Sequence, residues 1–159
     1  MDLYLIRHAI AEERDQWTGA DSERPLTADG ARRFAREVQG LARLEVRFER
    51  ILTSPWKRAR ESAELLAELC TRPPEECPEL AAPPGDALLA LLGEESTALV
   101  GHEPWMSDLA ALLLAKTLDG GAFEIKKGAV VQLEGAPRRA GMQLRALLPP
   151  RVLRALAES

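Results

Sequence analysis

Cysteine is nearly absent from this chain of 159 residues, with Cys70 and Cys77 the only two. Two cysteines do not make a disulfide framework, so both thiols are expected to be reduced and structural, even with the turn-prone Pro73-Pro74 between them. Histidine is equally rare: His8 and His102 stand alone. With scattered carboxylates at no zinc-like spacing, they argue against a metallohydrolase, and no cofactor is expected. Positive charge is not in excess, since 21 Lys and Arg face 25 Asp and Glu for a formal net charge of −4. That balance offers no general attraction to nucleic acid or to an anionic membrane surface. No apolar run reaches transmembrane length, and no basic leader precedes the first strand pattern, so a cytoplasmic location is expected. Internal repeats and low-complexity segments are missing too. What is present, 46% hydrophobic and 29% charged residues, suits one soluble domain over residues 1–159.

Any affinity for an anion must therefore be local, and the N-terminus offers a seat for it. The apolar run Leu3-Tyr4-Leu5-Ile6 has strand length and ends in Arg7 and His8. In an open parallel α/β sheet, ligands bind at the carboxyl ends of strands. Residues 97–100 repeat the design, closing in Gly101-His102, with Pro104 able to open a helix that turns Leu109, Leu112 and Leu113 inward. Two histidines at equivalent strand ends are either buried structural side chains or, with Arg7 and Arg58, ligands of one anion.

Residues 9–25 read as a polar loop overhanging these strand ends, offering Glu12, Glu13, Asp15, Trp17, Asp21 and Arg24. Thr27 reads as the cap of a helix that buries Ala31, Phe34, Ala35, Val38 and Leu41 and leaves Arg32, Arg33, Arg36 and Glu37 in solvent. Residues 48–53 form a second strand pattern, and Ser54-Pro55 supplies a cap and a first helical residue ahead of Ala59, Ala63, Leu66, Ala67 and Cys70. Arg58 lies in that first turn, where the helix dipole favours an anion. Spacing alone equally allows it to pair with Glu61. Residues 77–80 read as a short extended segment, and Asp86 as the cap of a helix bearing Leu88, Leu89, Leu91 and Leu92. Trp105 and Met106 either line a leaving-group pocket or pack internally. Residues 129–134 and 142–147 alternate as a hairpin at a sheet edge, and a last helix covers residues 152–156. The expected architecture is a three-layer α/β/α sandwich, its central sheet mainly parallel with an antiparallel edge.

Arg7-His8-Ala9 resembles the Arg-His-Gly signature of the histidine phosphatase, or phosphoglycerate mutase-like, superfamily, with Ala9 in place of the glycine. Three further motifs follow in the family's order: Arg24-Pro25-Leu26-Thr27 with Gly30, Ser54-Pro55-Trp56-Lys57-Arg58-Ala59, and Gly101-His102-Glu103-Pro104. Together with the short chain, they resemble the SixA-like branch of phosphohistidine phosphatases from end to end. The resemblance implies a phosphoglycerate mutase-like fold, with His8 as a nucleophile that forms a transient phosphohistidine. It implies Arg7, Arg58 and His102 as the phosphate clamp and brings Arg24 to the pocket rim, where Trp105 is a further candidate. Glu79 falls where larger members place an acidic proton donor. Glu61-Ser62 replaces the family's Gln-Thr at positions expected to be peripheral.

Phosphoryl transfer needs its equatorial oxygens neutralised and a nucleophile in line behind phosphorus. Nearby arginines would keep His8 neutral by like-charge repulsion, and a backbone carbonyl is expected to fix its tautomer. If Glu79 is idle, no acid is placed for an alkoxide leaving group, whereas phosphohistidine can carry a proton on its own imidazole. The expected partner is then a phosphorylated protein such as a histidine phosphotransfer domain, met by a monomer. A phosphatase of small phosphate esters is the alternative in chemistry, and a phosphate-binding regulatory module without turnover the alternative in class.

Overall fold

The computed structural model describes residues 1–159. Its elements, in chain order, are β1 (Asp2–Arg7), α1 (Ala28–Arg43), β2 (Arg50–Thr53), α2 (Lys57–Leu66), β3 (Glu75–Glu76), α3 (Asp86–Ala90), β4 (Thr97–Gly101), α4 (Trp105–Ala115), β5 (Val130–Gly135), β6 (Met142–Leu148) and α5 (Pro150–Glu158). They build one six-stranded sheet in the order β3-β2-β4-β1-β5-β6. The first four are mutually parallel, while β5 and β6 run antiparallel at one edge. This is the mixed sheet with helices on both faces that the sequence leads one to expect.

The period-2 alternation of strands sorts the aliphatic residues into two cores. Leu3, Leu5, Leu52, Leu99, Val131 and Leu133 face one side, against Leu88, Leu109 and Leu113 of α3 and α4. Tyr4, Ile6, Ile51, Ala98, Val100 and Val130 face the other, against Phe34, Val38, Ala63 and Leu153 of α1, α2 and α5. Because β1 and β4 are covered on both faces, they read as continuous apolar runs, which is why they are the easiest strands to recognise.

Several boundaries depart from the sequence reading. The second strand begins at Arg50, with Phe48 held instead in an isolated bridge to Cys70. Residues 77–80 are not extended: Pro78–Ala81 forms a 3-10 turn, and the strand of this region is the two-residue β3 before it. Asp86 is the first residue of α3 rather than its cap, and its carboxylate accepts from Arg139. Ser54 does not cap α2 either, since the helix starts three residues later, with Trp56 in the cap position. Glu37, expected in solvent, is 3% exposed. The reason is tertiary: α5 packs along that side of α1, and Arg154 Nη1 donates to Glu37 Oε1 at 2.5 Å. Thr27 does cap α1, its hydroxyl accepting from the Gly30 N–H at 2.8 Å. Gly30 is obligatory for this approach, because a Cβ there would collide with the Ile10 carbonyl.

Candidate active site

The carboxyl ends of β1 and β4 are neighbours, in register from Leu3 opposite Thr97 to Arg7 opposite Gly101. The His8 N–H donates to the Gly101 carbonyl at 3.0 Å, so both histidines leave the sheet side by side. Their ring centroids are 5.2 Å apart. The first two residues predicted from the sequence are thus brought together, although 94 positions apart in the chain.

The His8 ring is fixed at both nitrogens. Nδ1 lies 2.7 Å from the Ala9 carbonyl, an oxygen that can only accept, so Nδ1 carries the proton. Nε2 therefore presents a lone pair, and it accepts from Arg58 Nε at 3.3 Å. Burial pushes His8 down to about 2; His102, Arg58 and Arg7 add to this, and the Ala9 carbonyl opposes it. Ala9 itself has no positive φ and places its methyl group in the second core. Alanine is accommodated here without strain, and its N–H donates to Ser62 Oγ at 2.9 Å. Ser62 also donates to the Arg58 carbonyl at 2.7 Å. Far from peripheral, this serine ties the turn after His8 to the helix carrying Arg58. Its neighbour Glu61 accepts the Leu26 N–H at 2.7 Å.

Arg58 is 2% exposed. Its Nη1 donates to the Asp21 carbonyl at 2.7 Å, and its Nη2 meets Asp21 Oδ2 at 3.2 Å. Neither solvent nor Glu61 takes this guanidinium. Asp21 holds its outer edge, leaving the Nε edge turned toward His8. Arg24, almost as buried, reaches the site through the same carboxylate: its Nε donates to Asp21 Oδ1 at 2.9 Å and its Nη1 to the Glu12 carbonyl at 2.6 Å. The loop of residues 9–25 is thereby folded down on the strand ends as expected, closed at its base by a bridge between Ala11 and Leu26.

His102 is held differently. Its Nε2 lies 2.8 Å from Ser54 Oγ, while its buried Nδ1 has no partner. Burial lowers it to about 3, with Arg58 the next cause. The hydroxyl that the sequence assigns to a helix cap is thus used on an imidazole. Arg7 Nη1 donates to the Ile125 carbonyl at 2.9 Å and its Nε is buried without a partner. Three buried or half-buried arginines, two of them paired with Asp21, thus surround two neutral imidazoles and concentrate positive charge locally in an acidic chain. A cavity of about 510 Å³ borders it at Arg7 and Ala9, lined further by Arg33, Lys126, Lys127 and Arg154.

Glu79 is not bonded to this group. Its carboxylate accepts from the Cys77 thiol at 3.3 Å, and no hydrogen bond or ion pair joins it to the histidines or to Arg7 and Arg58. Glu103, the residue after His102, carries a half-buried carboxyl that feels the charge of Arg7. Burial raises its pKa, Ser107 and then Arg7 counter this, and Oε1 is buried with no partner. Trp105 and Trp56 flank His102, at ring separations of 6.2 and 4.7 Å. Met106, by contrast, is a core residue. Asp21, Ser54, Trp56 and Ser62 carry no distinguishing signal in the sequence; only their spacing from Arg24 and Arg58 within the motifs could have raised them. No cluster of three His, Cys, Asp or Glu side chains is placed to hold a metal ion.

The sequence profile of the histidine phosphatase superfamily, branch 1, matches residues 3–82. The chain belongs to this superfamily. An uncharacterized protein of Picosynechococcus sp. is 36% identical over 148 residues, which span 87% of this chain and 88% of that one. Among solved structures, the protein histidine phosphatase SixA complexed with tungstate superposes with a TM-score of 0.78 at 26% identity, covering 96% of this chain and 99% of SixA. The alpha-ribazole phosphatase of Shigella flexneri shares the fold, with a TM-score of 0.76 at 21% identity over 94% of this chain and 97% of its own. The histidine phosphatase is thus similar both to an enzyme of phosphoprotein chemistry and to one named for a small molecule. No helix is long and apolar enough to cross a membrane.

Proposed function

We propose that this histidine phosphatase removes the phosphoryl group from phosphohistidine in a phosphotransfer protein, by way of a phosphohistidine formed on His8. One observation carries the reading: His8 donates from Nδ1 to a backbone carbonyl and so offers an unprotonated Nε2 directly beside the Arg58 guanidinium. When phosphate enters, Arg58 Nε turns from that nitrogen to a phosphoryl oxygen, and Arg7 and His102 neutralise the others. Nε2 attacks phosphorus while the bond to the leaving nitrogen breaks and its electron pair stays with the substrate ring. A proton already on the second nitrogen of that ring makes it leave as neutral imidazole, so no enzyme acid is required. Water then hydrolyses the phosphoenzyme. Tungstate in SixA, a tetrahedral oxyanion, is consistent with such a clamp. The partner of Glu79 is Cys77, so Glu79 is left out of the chemistry.

A rapid-quench trap with a phosphohistidine-labelled phosphotransfer protein tests this. Acid-labile, base-stable label should appear on wild type and not on His8→Ala; substrate left intact by both would overturn the reading. One observation favours a second reading, hydrolysis of small phosphate esters: the raised Glu103 carboxyl could protonate an alkoxide. In that case Glu103→Gln lowers turnover of an alkyl phosphate about a hundredfold, and spares an aryl phosphate whose leaving group needs no proton.

A further inference from the structure

The chain contains only seven aromatic side chains, and three of these are tryptophan. Phe34, Phe48 and Tyr4 are used in the second core, and Phe123 packs against the first. Trp56 and Trp105 belong to neither. Trp56 sits 4.7 Å from the His102 ring and also 4.7 Å from the Arg58 guanidinium carbon. Trp105 stands edge-on to both rings, 6.1 Å from Trp56 and 6.2 Å from His102. Both indoles are half-buried. The two indoles are thus spent beside His102 and Arg58 rather than in either core.

We propose that Trp56 and Trp105 form a leaving-group subsite for a planar aromatic ring, and that they select such substrates over alkyl phosphates. This rests on the phosphohistidine reading and deepens it. The substrate imidazole is planar and, in the reactive protonated form, cationic, so it meets the two properties an indole face attracts: stacking surface and positive charge. As the phosphorus–nitrogen bond breaks, its electron pair returns to the ring nitrogen and the ring becomes neutral imidazole while still stacked. Trp56 is engaged by Arg58 as well as by His102, so Trp105, which touches only the rings, is the residue to vary, and the ratio between substrates separates the subsite from any effect through His102.

The test compares N-phosphoimidazole with phosphoramidate, which has the same phosphorus–nitrogen bond and no ring. In wild type kcat/KM should favour the ring compound. Trp105→Ala should lower that ratio at least tenfold, and Trp105→Phe should restore most of it. Equal losses on both compounds would overturn the subsite, because a merely structural role lowers them together. If wild type turns over neither, the phosphohistidine reading fails instead. The subsite is then read from phenyl phosphate against ethyl phosphate with the same variants: loss of a ring preference in Trp105→Ala upholds it, and no preference in wild type removes it.

Discussion

The ends of β1 and β4 are built alike, each a buried apolar strand closing in a histidine, yet the two rings are bonded in opposite ways. In His8 the nitrogen next to the backbone is locked on a carbonyl, and the outer nitrogen faces a cation that phosphate can draw away. In His102 the outer nitrogen is held by a serine hydroxyl, and the inner one is left without a partner. The segments beyond the two histidines differ as well. After β1 a loop of residues 9–25 brings Asp21 and Arg24 over the site, whereas after β4 a helix begins within four residues of Gly101. The difference teaches that position at a strand end makes a histidine available, while the partner of its other nitrogen decides what it can do.

Exchanging the roles of the two rings is the strongest way to break this comparison. His8→Asn should abolish the phosphoenzyme and lower turnover by about 10⁴-fold or more, as loss of a nucleophile does. His102→Asn should cost about 10²- to 10³-fold in kcat, the size expected for one transition-state ligand, with the phosphoenzyme still trapped by rapid quench. Equal phosphoenzyme in both variants would show that the bonding pattern does not set the roles. Asp21→Asn sharpens the comparison at the next level. It releases the outer edge of Arg58 and should lower kcat/KM by about 10- to 100-fold, measured with any turned-over phosphate.

The smallest effect is on stability. His8 and His102 titrate near 6.5 when unfolded, and at about 2 and about 3 in the folded protein. Between those values the unfolded chain binds more protons, so their contribution is complete above 6.5 and is lost as pH falls toward 3. Each ring costs up to about 1.4 kcal/mol per pH unit over this window. Glu37 has the opposite sign: raised from 4.5 to about 7 by burial, it contributes fully below 4.5 and its contribution is lost as pH rises through 7. Urea unfolding at pH 6, 5 and 4 should therefore show a shallower decline in His102→Gln than in wild type, and a steeper one in Glu37→Gln.

The nearness of His8, His102 and Arg7 was legible because parallel strands carry their carboxyl ends together, whereas Arg58, on α2, was singled out only by the resemblance of its motif. Their surroundings were not. Ser54-Pro55 has the composition of a helix start, and nothing local reveals that an imidazole from the end of β4 takes the hydroxyl first. Glu37 lies among arginines on the polar side of α1, and only the packing of a helix more than a hundred residues later buries it. Ser62 and Asp21 likewise act through partners from other elements. Local pattern reports which face of an element is apolar, whereas a polar side chain's partner is a tertiary fact.

The segment leading into β5 also has a consequence for how the molecule comes into being. Arg7 is pinned by the carbonyls of Ile125 and Ala129, and the carbonyls of Arg7 and His8 both receive the Gly128 N–H. A ribosome delivers the Arg7-His8 pair at the outset, but these clasps only after four-fifths of the polypeptide has been made. The nascent chain thus carries Arg7 without these partners for most of its synthesis. The cation at the end of the first strand is therefore clasped by some of the last residues to be made.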